Sequence, residues 1–297
     1  MGLALAGALS AAVGRPLRAA AGPEVTPLGD RVALLRGYGG NVTLLTSPAG
    51  PLLVDGGGAG KTDALLAAVA TRSGSRQTPL LFNSHWHPEQ TGANERLGRA
   101  GARIIAHENT KLWLSTEFES PWQKRRYTPL PRQALPTDTF YPTGSLVHGS
   151  ERVDYGYVLQ AHTDGDIWVF FRDANVLVAS DLLAVDSYPI LDYVTLGWIG
   201  GMVAANKALL ELVNAETRIV PGIGPVQTRD DLKRQADMLV VLQERLYNLL
   251  RDGRGVDEML AAQPTREYDA RCGDPELFVR NAFRGMTAHV RQIPVIV

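Results

Sequence analysis

Residues 83–92 read NSHWHPEQTG, and the fold turns on how they are read. His85 and His87 flank a tryptophan, and Glu89 and Gln90 follow almost at once. On an extended loop, histidines at i and i+2 can both turn their imidazoles toward one ion. A lone pair is weak grounds for a metal site, because buried histidines satisfied by the backbone are common. Further ligands stand where the chain turns after apolar runs. His162 lies in QAHTDGD directly after YGYVL, and Asp181 lies in VLVASDLL. His85, His87 and His162 are the ligand types of a three-histidine catalytic zinc site with water in the fourth position. Asp181 is placed to bind a second ion, to bridge, or to hold that water.

Working outward, the chain alternates β-rich and helical stretches within 297 residues. Runs at 31–35, 42–46 and 52–55 are rich in Val, Leu and Thr and are bounded by turn residues. GKTDALLAAVATR reads as a helix, PLLFNSHWH as a strand entering the histidine loop, and TGANERLGRAGARIIAHENT as helix then strand. Residues 117–143 show no period and read as a long surface loop. YGYVLQAH, DIWVFF and NVLVASD form a second β-rich stretch, followed by a helix near 203–213, the strand TRIVP and a helical tail. In that tail Thr228 and Asp231 form a capping-box pattern ahead of leucines at helical spacing. The order suggests two similar halves sharing one core.

VDGGGAGKT imitates a phosphate-binding loop, but Asp55 stands where that motif needs its first glycine. The glycines are better explained by a tight turn between strand and helix. With 30 Lys+Arg against 31 Asp+Glu, nothing electrostatic points to nucleic acid. The short basic run Lys124-Arg125-Arg126 reads as a solvated loop. Cys272 is the only cysteine, so no internal disulfide forms and any metal must be held by histidines and carboxylates. No stretch is apolar for the length of a transmembrane helix. Residues 1–22 read as an export leader ending in Ala19-Ala20-Ala21, against a disordered alanine-rich tail. The leader implies a periplasmic or secreted protein; without it the expectation is cytoplasmic.

SHWHPEQTG, AHTDGD, ASDLL and VPGIGPV, in this order, resemble the metallo-β-lactamase superfamily over roughly residues 25 to 250. The early VDGGG adds to the resemblance. It implies an α/β protein with a four-layer αββα sandwich, one domain over 23–297, and a helical C-terminal extension from about 226. It also implies metal ligands on loops at the sandwich edge. Matched residue by residue to the family's H-x-H-x-D-H motif, His85, His87 and His162 fall on the first site and Asp181 on the bridging aspartate. The motif's aspartate becomes Glu89, its last histidine becomes Gln90, and a late histidine falls at Ile223. An amide and an alkyl group are poor ligands for a transition metal. The expectation is therefore one zinc ion, held by His85, His87, His162 and Asp181, with the second site weak or empty.

Such a protein is a zinc-dependent hydrolase whose metal-activated water attacks an ester, thioester, lactone or similar bond of a small molecule. Asp181 and Glu89 are the candidates for taking that water's proton. The competing reading is a non-catalytic metal-binding relative that keeps the fold. Trp86, between two ligands, and Tyr193, in YPILDYVTLGWIGG, are candidate substrate contacts, though packing accounts for either. Asp164 and Asp166 either orient His162 or cap the next turn, and His107 reads as structural. Oligomeric state is left open.

Overall fold

The computed structural model describes residues 23–292; the expected leader, 1–22, lies outside them. Two sheets carry the chain. The first contains β1 (Glu24–Pro27), β2 (Val32–Tyr38), β3 (Gly40–Leu45), β4 (Leu52–Val54), β5 (Leu80–Phe82) and β6 (Arg103–His107). After the small ribbon of β7 (Phe118–Ser120) and β8 (Arg125–Tyr127) comes β9 (Asp138–Phe140), which closes the first sheet. Its order is β1-β2-β3-β4-β5-β6-β9. The second sheet runs β10 (Thr143–His148), β11 (Glu151–Tyr157), β12 (Ile167–Phe171), β13 (Val176–Ser180) and β14 (Arg218–Pro221) in sequence order.

Three apolar clusters define the layers. Leu65 and Val69 of helix α1 (Thr62–Ser73) pack with Leu97 of α3 (Asn94–Arg99) on the outer face of the first sheet. Between the sheets, Val54 and Phe82 meet Val169, Phe171 and Val178. Beyond the second sheet lie α5 (Ile199–Leu212), α6 (Arg229–Arg251), α7 (Val256–Ala261), α8 (Arg266–Cys272) and α9 (Glu276–Gln292). Leu209, Leu239, Met259 and Val279 from this layer share one cluster. The result is the expected αββα sandwich. Strands such as LLV, LLF and VLVAS are apolar without alternation because both faces are covered.

The capping box forms as expected: Thr228 Oγ1 accepts from Asp231 N–H, and Asp231 accepts from Thr228 N–H at 2.8 Å. The stretch expected to be a long loop at 117–143 instead holds β7, β8 and β9. β9 pairs in parallel with β6, Ile105 opposite Asp138. These strands are three residues each and face mixed surroundings, too short for a period to show. Among the described residues no helix is long and apolar enough to cross a membrane.

Two strand ends bend sharply where the sheets meet. Asp55 after β4 and Ser180 at the end of β13 both take left-handed backbone angles, φ 67° and 49°. The pairing of β13 with β14 slips between Val178 and Ser180. Non-glycine residues hold such angles only where their surroundings enforce them. Here Ser180 Oγ donates to Asp55 Oδ2 at 3.2 Å, joining the two bends.

Candidate metal centre

The loop after β5 delivers His85 and His87. The short turn α2 (Pro88–Thr91) then begins, with His87 extended at ψ 149° and Pro88 at its first position. His162 comes from the β11–β12 connection and Asp181 from the end of β13. These four place one ligand atom each within 4.8 Å of one another. The three histidines are buried, and 24% of the Asp181 side chain is exposed.

Each imidazole is fixed by its second nitrogen. His162 Nδ1 lies 2.8 Å from the carbonyl of Ile190, which only accepts, so Nδ1 carries the proton and Nε2 is free. His87 Nε2 lies 3.2 Å from Asp192 Oδ2, which leaves Nδ1 free. His85 Nδ1 lies 3.0 Å from Ser84 Oγ. That hydroxyl is 2.9 Å from Asp55 Oδ2; donating to the carboxylate, it accepts from His85 and leaves Nε2 free. Partners of this kind set the tautomer of metal-binding histidines.

The three free nitrogens point at one another. His87 Nδ1 and His162 Nε2 stand 3.0 Å apart with no proton assigned between them. Two ligands of one tetrahedral ion are separated by about 3.3 Å. His85 Nε2 is buried with no hydrogen-bond partner, 3.3 Å from Asp181 Oδ2. Facing lone pairs and an orphaned nitrogen beside a carboxylate are what a cation would resolve, so the donor set fits a divalent metal.

The charges agree. Burial alone would raise the pKa of Asp181, but the three imidazoles crowded around it hold it well below the usual carboxylate range. Asp192 is likewise held low against its burial by His87, Trp122 and Thr195. Its Oδ1 accepts from Trp122 Nε1 at 2.8 Å and its Oδ2 from Thr195 Oγ1 at 2.8 Å. Asp55 goes the other way: burial pushes it up to about 6 despite His85 and the Ser84 N–H. Gly222 has a steric duty here. A Cβ on it would meet Asp181 Oδ1 at 1.6 Å, so any other residue would displace that carboxylate.

Several expected neighbours stand elsewhere. Glu89 is exposed on α2 and is not one of the four clustered ligands. Gln90 is buried beside Gly40, whereas Ile223, 63% exposed, borders the same cavity as His162 and Asp181. Trp86 does not border the cavity of about 360 Å³ onto which His162 and Asp181 open. It is 2% exposed and packs edge-on against His87, Phe118 and Tyr127, because its indole N–H is tied to Thr195 Oγ1 at 3.2 Å. It borders a different cavity, of about 280 Å³. Tyr193 sits half-buried in a single helical turn and is not among the residues around the ligand cavity. Asp166 caps the Thr163 backbone and hydroxyl, and Asp164 accepts from Trp113; neither holds the His162 ring.

Sequence reasoning missed Asp192, Ser84 and the structural use of Asp55. Their signals were slight: an aspartate inside an apolar run, a serine before the first histidine, and an aspartate at a strand end.

Comparison with known proteins agrees with this architecture. A metallo-β-lactamase from Pontibacter korlensis superposes with a TM-score of 0.62 at 18% identity, covering 74% of this chain and 99% of its own. A stereoselective inverting sec-alkylsulfatase from Pseudomonas sp. superposes with a TM-score of 0.68 at 15% identity, over 92% of this chain. This chain spans about half of that protein, 52%. A search of curated proteins finds no match to the sequence. The family model of the metallo-β-lactamase superfamily matches residues 35–248. Strand ends, ligand loops and sequence match coincide, and the chain belongs to the metallo-β-lactamase superfamily.

Proposed function

We propose that the protein is a hydrolase dependent on a single zinc ion and acting on a carboxylic ester, thioester or lactone. The observation that carries this reading is the convergence of three tautomer-fixed imidazoles on Asp181 at the wall of a cavity. His85 Nε2, His87 Nδ1 and His162 Nε2 would hold the ion. Bound there, it supplies Lewis acidity, polarising a carbonyl and making water a stronger acid. Asp181 stays ionised at neutral pH and reaches solvent at the cavity, so its carboxylate orients the attacking water and accepts its proton. Asp192 and Asp55 hold the imidazoles from behind and touch no substrate.

One ion rather than two is supported by Gln90 and Ile223, which stand where the family pattern has ligands. The same feature supports a second reading, a metal-binding relative without turnover. Elemental analysis of protein purified without chelators or nickel, followed by an ester and lactone screen, separates the two. About one zinc per chain with hydrolysis lost in Asp181→Ala supports the hydrolase. One zinc without any turnover supports the relative, and no zinc after reconstitution sinks both.

A further inference from the structure

The cavity beside the cluster has a composition of its own. Its far wall comes from the helical tail, where Leu277, Phe278 and Asn281 lie on one face of α9 at i, i+1 and i+4. Val185 and Pro189, in the segment between Asp181 and Ile190, form the near wall. The walls are tied together. Tyr188 stacks on Phe278 with ring centres 5.1 Å apart, and its hydroxyl donates to Asp269 of α8 at 2.7 Å. The near wall also fixes the chemistry, since the Ile190 carbonyl at its end holds His162 Nδ1. At about 360 Å³ the space has room for about a dozen waters at ~30 Å³ each.

Two polar features decide what this apolar space accepts. None of the described residues around it is lysine or arginine, while Asp181 and Asp274 are both there. An anionic group placed in it away from the metal ligands would meet Asp274 and no basic side chain. The second feature is Asn281, 2% exposed, whose Nδ2 has no partner among the described residues. A buried amide donor left unpaired is costly, and an acceptor oxygen on a ligand would relieve it.

We infer that the substrate is an ester, thioester or lactone carrying an uncharged, apolar chain. The chain lies between α9 and the 183–190 segment, and one of its oxygens accepts from Asn281. This rests on the hydrolase reading for the ester group, and on the cavity alone for the chain and the charge.

Binding of unreactive ligands tests it without turnover. Calorimetry on the zinc-loaded protein would compare 2-pentanone to 2-nonanone, and 2-nonanone with 8-oxononanoate, which carries a carboxylate at the far end of the same chain. The dissociation constant is expected to fall about fourfold per methylene. 8-Oxononanoate is expected to bind at least tenfold more weakly than 2-nonanone. Ala184→Phe, which fills the cavity, is expected to abolish the chain-length gain. Asn281→Leu, close in size, is expected to weaken every ketone about tenfold and to leave the slope per methylene intact. A flat series, or 8-oxononanoate binding as tightly as 2-nonanone, overturns the inference even if zinc-dependent ester hydrolysis is found. A steep series with no hydrolysis of any ester sinks the hydrolase reading and keeps the cavity as a site for uncharged apolar ligands.

Discussion

Two neighbouring strands of the first sheet end in buried histidines, with opposite results. β5 leads to His85 and β6 ends in His107; the strands pair in parallel and both rings are 1% exposed. His85 has a serine hydroxyl behind it, two more imidazoles within 4.8 Å and a carboxylate in front. His107 lies flat on Tyr157, ring centres 3.8 Å apart at 7°, and accepts only the Asn109 N–H at 3.2 Å. Its Nε2 has no partner, and burial pushes its pKa down to about 4. Burial does not make an imidazole a ligand. A group that orients its far nitrogen does, together with anionic charge near its free one.

The sharpest way to break this contrast is to remove a ring from each place. His162→Ala is expected to lose stoichiometric zinc and all hydrolysis, whereas His107→Phe keeps one zinc per chain. Equal zinc loss in both, by elemental analysis, would erase the distinction.

His107 has an acid-stability signature of its own. Its folded pKa of about 4 lies below the ordinary 6.5, so between those values the unfolded chain binds more protons. Stability is therefore full above about pH 6.5 and falls by about 2–3 kcal/mol as pH drops toward 4. Urea midpoints measured across that window should flatten in His107→Phe. An unchanged slope would mean that other groups govern acid unfolding.

Asp192→Asn keeps the shape behind His87 but removes the charge. Zinc affinity is expected to drop about 10–100-fold while the thermal midpoint of the metal-free protein barely moves. An affinity equal to the parent's would show that the aspartate only fills space. The smallest effect is expected from Thr228→Ala, remote from both rings. Loss of the α6 cap should cost about 1 kcal/mol, seen in thermal unfolding, with zinc content untouched.

Legibility in the sequence followed the same line. His85, His87, His162 and Asp181 could be found because each follows an apolar run and two share one short stretch. Asp192 could not, because its role exists only across the 105 residues that separate it from His87. Asp55 was visible only as part of an imitation phosphate loop, and its two bonds to Ser84 depend on how β4 and β5 align. The layered architecture followed from alternating helical and β-rich stretches, while β9 escaped because three residues cannot display a period.

The stretch shared with the family ends at residue 248, while Leu277, Phe278 and Asn281 stand on a helix beyond it. On the proposed reading, the metal ligands and the wall that receives the substrate's chain thus lie on separate parts of the sequence, joined through Tyr188 stacked on Phe278 and the Ile190 carbonyl on His162.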